Sequence, residues 1–200
     1  NLLINFTIKR LTEILGIFIF SSGILLFVSL LSYSPEDPNF IFPRNTEIKN
    51  ILGFQGSFIS DLFLQSLGII SYLFSLTLIV TGINIFRTKE FFLIFENLFF
   101  AVIYSLFGTL FLSHFYLEAF NLYINGNGGF IGLYLNKTFL NSLLLTNQSL
   151  SYYLLIIIII ILFLLSINFH PFKFYNYIRK IITSFNKNKK RNYTNKSEVI

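Results

Sequence analysis

Residues 150–169 read LSYYLLIIIIIILFLLSINF, twenty positions without an Asp, Glu, Lys or Arg. Six consecutive isoleucines, Ile156 to Ile161, fill its middle. β-Branched residues are poor helix formers in water. In lipid the backbone must satisfy its own hydrogen bonds, which a helix does within one segment. About 20 apolar residues match the roughly 30 Å hydrocarbon core of a bilayer, so this stretch is read as a spanning helix that ends at His170-Pro171.

Three other stretches pass the same test: Ile14 to Leu31, Leu62 to Phe86 and Asn97 to Leu117. The first is not read as a secretory signal. Its apolar run exceeds the roughly 7–15 residues of such a signal, and no A-x-A pattern follows. A polar, turn-forming stretch follows instead, Ser34-Pro35-Glu36-Asp37-Pro38. The expected fold class is therefore all-α integral membrane. Four transmembrane helices are placed at about 12–32, 60–86, 94–117 and 149–169 within a domain of residues 1–175, followed by a basic linker over 176–200.

Composition agrees. Of the 200 residues only 12% are charged and 54% are hydrophobic, against about 25% charged in a soluble domain. Mean hydropathy is +0.68. The 27 Phe and 11 Tyr also exclude a disordered chain. With no Cys there is no disulfide framework, zinc ribbon, iron–sulfur centre or thiol nucleophile. The two histidines, His114 and His170, are too far apart in sequence to suggest a metal site. A chain that begins at Asn1 and has no Met is expected to be part of a longer protein.

Basic residues set the expected orientation. Twelve of the 15 Lys and Arg fall on one side: Lys9 and Arg10, then Arg87 and Lys89, then eight in the C-terminal tail. The other side has Arg44, Lys49 and Lys137. Both termini are thus expected in the cytoplasm, with residues of about 32–60 and 118–149 outside. The second outer loop begins at Asn125-Gly126-Asn127-Gly128-Gly129, read as a flexible turn. Its apolar remainder, Leu133 to Leu145, suits a short interfacial or re-entrant helix.

Catalytic motifs are not evident. A G-x-G-x-x-G fingerprint starting at Gly126 would need glycine at 131, where Ile131 stands, and no strand precedes it. No G-x-x-x-x-G-K-[ST] occurs, so no enzyme is expected in this segment and no cofactor or metal is assigned to it. His114 and Glu118, four apart, suit one face of a helix at a membrane boundary. Glu96 is read as an anion at a helix start. Ser57, Asp61, Gln65, Gly68 and Tyr72 recur at helical spacing and form one small, polar face. Such faces glue membrane helices together, so helix packing or oligomer contact is expected there. Lys187, Lys189, Lys190 and Arg191 form a basic cluster suited to anionic lipid.

Leu30-Leu31-Ser32-Tyr33-Ser34-Pro35-Glu36-Asp37-Pro38 resembles the exit from the first span in the FtsK/SpoIIIE family of bacterial DNA translocases. Asn50-Ile51-Leu52-Gly53-Phe54-Gln55-Gly56-Ser57-Phe58-Ile59-Ser60-Asp61 is similar to that family's entry into the second span, with Ser57 and Ser60 where alanine is usual. The resemblance covers roughly residues 13–170, the N-terminal four-span membrane domain. It implies an anchor and assembly domain for a cytoplasmic hexameric ATPase motor, absent from this chain, that moves double-stranded DNA while the cell divides. It implies ATP and Mg for that motor, and a multi-pass location in the bacterial inner membrane at the division septum. Implied partners are the lipid bilayer, further copies in a hexamer, septal proteins and, through the motor, DNA. It also implies structural roles for Gly53, Gly56 and Asp61 in packing and for Pro35, Asp37 and Pro38 in the exit turn. The alternative is a small stand-alone transporter or channel subunit, for which Ser71, Ser75, Thr77, Thr81 and Asn84 are the polar groups on offer.

Overall fold

The computed structural model describes residues 2–38, 47–117, 125–170, 179 and 183. Every regular element among them is a helix: α1 Leu2–Leu31, α2 Gly53–Leu67, α3 Ile70–Thr88, α4 Leu93–Phe115, α5 Gly129–Asn136, α6 Phe139–Thr146 and α7 Gln148–Ser166. The chain forms two units, Asn1–Ile167 and Asn168–Ile200. In the second, Thr183 donates to the Arg179 carbonyl at 2.9 Å, one turn of helical spacing.

Four helices are long and apolar enough to cross a membrane, over Ile4–Leu31, Ile70–Thr88, Leu93–Phe115 and Gln148–Ser166. α1 starts about ten residues earlier than expected, because Lys9 and Arg10 continue the helix instead of ending it. At 1.5 Å per residue its 30 residues extend about 45 Å, longer than a hydrocarbon core.

The expected second span needs a larger correction. Residues 60–86 are not one helix. The chain breaks after Leu67 at Gly68, whose φ of 60° and ψ of −140° suit glycine alone. A side chain at Gly68 would also run into the Asn127 carbonyl. The crossing helix is α3. The start of α2 is tied to the end of α1, where Ile51 N–H donates to the Ser32 hydroxyl at 3.2 Å. Its last turns meet the start of α3, where Ser71 donates to the Phe63 carbonyl at 2.8 Å. The end of α1 and the start of α3 are level with each other, since the Tyr72 hydroxyl donates to the Leu30 carbonyl at 2.9 Å. α2 therefore lies across one end of the bundle.

α1 and α3 run antiparallel with almost no space between their backbones. A Cβ at Gly16 would stand 2.8 Å from the Phe86 nitrogen, one at Gly23 2.7 Å from the Ile79 nitrogen, and one at Gly82 2.7 Å from the Gly16 oxygen. Small residues permit such approach between membrane helices. At the far end of this seam Glu13 pairs with Arg10 at 2.6 Å and with Lys89 at 2.7 Å. α3 and α4 form a hairpin about residues 89–92. Polar side chains bind the remaining helices. The Asn97 amide donates to Thr81 at 2.9 Å, Thr77 shares hydrogen bonds with Tyr104 at 2.8 Å and Ser166 at 3.2 Å, and the Asn84 amide reaches the Ile167 carbonyl at 3.2 Å. Tyr104 meets Phe163 edge-on at 5.7 Å. Around this polar interior the outward surface is apolar: Phe18, Phe99, Tyr153 and Ile157 are more than half exposed, an inside-out pattern suited to lipid.

The segment between α4 and α7 carries two short helices where one was expected. Thr138 ends α5 and caps α6, accepting from Leu140 N–H at 3.3 Å.

Candidate functional site

The residues singled out in the sequence meet at the α2 end of the bundle. Asp37 is 3% exposed, and its two carboxylate oxygens accept from the backbone N–H of Lys49 at 2.8 Å and Asn50 at 2.9 Å. A buried carboxylate requires such donors. Asp37 thereby closes the loop between α1 and α2, joining its start to its end. Beside it Lys49 pairs with Glu36 in solvent. The Lys49 ammonium holds the Glu36 carboxyl below its ordinary range through a hydrogen bond and charge attraction, and the Lys49 amine is raised in turn.

Asn50, absent from the expected site, is the hub of this clasp. Its amide donates to the Ser29 carbonyl of α1 at 2.9 Å and to Ser60 of α2 at 3.4 Å. Its side-chain oxygen accepts from Leu52 N–H at 3.1 Å, an Asx turn that leads the chain into α2. Gly53 opens α2 at φ 66°, and a Cβ there would meet nothing within 4 Å, so its conformation and not close packing calls for glycine. Gly56 is packed: a Cβ would lie 2.5 Å from that of Leu52 and would collide with the Asn50 side chain. Ser57 donates to the Pro38 carbonyl at 3.0 Å.

The small-residue face of α2 is thus occupied by the chain's own loop. Gly56 packs against Asn50 and Leu52, Ser57 against Pro38, and Gly68 lies outside the helix that carries Ser57, Asp61 and Gln65. Asp61 faces the other end of the clasp. It accepts from the Tyr33 hydroxyl at 3.2 Å and from the Gln65 amide at 3.4 Å. Gln65 then accepts from the Asn125 amide at its side-chain oxygen (3.2 Å) and its carbonyl (3.3 Å).

The second outer loop is held too. Ile69 N–H donates to the Asn127 carbonyl at 3.0 Å, and the Asn127 amide donates to the Tyr116 carbonyl. Asn127 is 1% exposed. A side chain at Gly128 or Gly132 would run into Ser113 and Thr109 of α4. The glycine run read as a flexible turn is therefore packed at its 127–129 end. His114 meets Asn136 at 3.2 Å; Glu118, its expected partner, lies outside the described residues, as do Lys187, Lys189, Lys190 and Arg191. Glu96 stands in the first turn of α4.

This arrangement gathers hydrogen bonds but no nucleophile and base. Among the described residues no group of three or more His, Cys, Asp or Glu comes together. Its hydrogen bonds join the loop between α1 and α2, the segment before α5, and α1, α2 and α3 into one cap. Sequence reading missed Asn50 and the seam glycines Gly16, Gly23 and Gly82. The seven-residue spacing of Gly16 and Gly23 and the Asn-x-x-Gly at 50–53 were the available signals.

The fold and its cap define a helical multi-pass membrane domain. The family described as the 4TM region of DNA translocase FtsK/SpoIIIE matches residues 8–179, most of the chain, and the chain belongs to that family. The DNA translocase FtsK of Azospirillum brasilense is 34% identical over 79 residues, which cover 38% of this chain and 12% of that protein. No solved structure matches.

Proposed function

We propose that this chain is the membrane anchor and assembly domain of a DNA translocase, tethering a cytoplasmic hexameric motor at the division septum. The observation that carries this reading is the family match across residues 8–179. Four crossing helices would return the chain to the side on which it began, and the twelve basic residues on that side support a cytoplasmic location for both termini. A motor attached there works on DNA inside the cell, with ATP and Mg bound by the motor and not by these residues. Confinement to the septum raises the motor's effective concentration near chromosomes that straddle it. Six copies in a ring bring six anchors together.

The mechanical demands on such an anchor suit the structure. Pulling on DNA loads the spans, and a cap that binds loops to helices resists their separation. Lys187, Lys189, Lys190 and Arg191 add attraction to anionic lipid at about 1 kcal/mol per charge. The polar groups on which a transporter would rely are engaged between helices, as with Thr77 and Thr81.

The test is a fluorescent fusion of the full-length protein in its own cell, together with a deletion of residues 1–175. The proposal expects a band at the septum that disappears with the deletion, and chromosomes left trapped across the septum. Uniform membrane fluorescence with normal segregation after the deletion would overturn it. Solute flux through liposomes containing the chain would favour the transporter reading.

A further inference from the structure

Beneath α2 lies a groove of about 430 Å³ between α1, α2 and α3. Its α1 wall includes Ser22, Leu25 and Ser29, and its α2 wall includes Gln55 and Ile59. The α1 wall falls inside a membrane-crossing helix, so the groove opens at bilayer depth. Its two serines have their hydroxyl protons engaged within α1. Ser22 donates to the Phe18 carbonyl at 2.9 Å and Ser29 to the Leu26 carbonyl at 2.8 Å, both within α1. What remains is hydrocarbon wall, with the exposed Gln55 amide at the rim near the loop clasp.

We propose that this groove holds one acyl chain of a diacyl phospholipid, drawn from the leaflet on the α2 side, with its ester region at Gln55. Ten residues line the groove, whereas a stable protein interface takes roughly 20–30 residues a side. A flexible hydrocarbon chain fits it better than a second copy of this protein. Selection by headgroup charge is not expected, because the nearby Lys49 is already paired with Glu36.

Native mass spectrometry of the detergent-purified full chain tests the proposal, with palmitoyl-oleoyl-phosphatidylethanolamine or palmitoyl-oleoyl-phosphatidylglycerol added. One phospholipid per chain is expected to survive detergent exchange, to the same extent for both headgroups. Ser22→Phe, which fills the groove from α1, is expected to reduce that adduct to background with an unchanged helical circular dichroism spectrum. Ile157→Phe, on the exposed side of α7, is expected to keep it. If Ser22→Phe does not fold, Ile59→Phe fills the groove from α2 and carries the same expectation. Equal lipid retention by the filled and unfilled chains overturns the proposal. So does a change in oligomeric state without loss of lipid, which would assign the groove to a second copy.

Discussion

Gly82→Ala adds a single methyl group to the α1–α3 seam and should weaken the whole domain. The new Cβ would run into the Phe20 nitrogen and stand 2.7 Å from the Gly16 oxygen and the Phe20 Cα, at least 0.7 Å inside the 3.4 Å at which ordinary contact begins. These obstacles are backbone atoms, which cannot rotate away. α1 must therefore move from α3 by most of an ångström, and a radial gap of that size forfeits about a quarter to a half of the dispersion well for each atom pair. Overpacking of this kind costs about 1–3 kcal/mol. Because the obstacles are backbone, the upper part of that range applies, about 2–3 kcal/mol; alanine returns up to about 1 kcal/mol through its better helix propensity, which leaves a net loss of about 1–2 kcal/mol. Reversible unfolding in mixed micelles, followed by far-ultraviolet circular dichroism as denaturing detergent is added, measures it. Ile83→Ala, on the outward side of α3, serves as the control and should cost less. Gly16→Ala and Gly82→Ala should be non-additive, because each residue's backbone meets the other's added methyl. A Gly82→Ala chain as stable as the parent would refute the close seam.

Three further outcomes follow from the cap and the topology. Asp37→Ala strands the backbone N–H of Lys49 and the buried one of Asn50 and should cost about 3 kcal/mol by the same unfolding assay, whereas the exposed Glu36→Gln should cost far less. The Glu36–Lys49 pair should contribute in full between the two ordinary pKa values, 4.5 and 10.5, and fade outside them. The lowered Glu36 value makes its contribution fade as pH falls through it, and the raised Lys49 value makes its contribution fade as pH rises through it; protease sensitivity of residues 36–49 should rise at both limits, and Glu36→Gln should flatten the profile. Because the parent has no Cys, single cysteines at Ser34 and Lys137 should react with an impermeant maleimide from outside the cell, and one at Thr88 only after lysis; the reverse pattern would invert the orientation.

Much of this architecture was legible in the sequence because lipid imposes a simple rule on it. Long uncharged runs such as 150–169 must become helices, and three of the four expected spans correspond closely to α1, α4 and α7 apart from the early start of α1. The second was misread for a physical reason. Residues 62–86 are uncharged throughout, and hydropathy cannot distinguish a helix that crosses from one that turns at its start. Only the conformation at Gly68 and the carbonyl of Asn127, nearly sixty residues away, reveal the break. The small face of α2 was visible by its spacing, but what covers it was not, because the loop that folds over Gly56 and Ser57 is held by Asp37 and Asn50 through contacts that have no periodicity. Gly16, Gly23 and Gly82 were visible as letters in apolar runs; their role depends on which helices become neighbours.

The anchor reading stands or falls on what this domain is attached to. Reading the gene in frame beyond the codon for Ile200 tests that most directly. The account predicts a polar linker and then a motor containing G-x-x-x-x-G-K-[ST]. An immediate stop codon would contradict it and leave a stand-alone membrane protein.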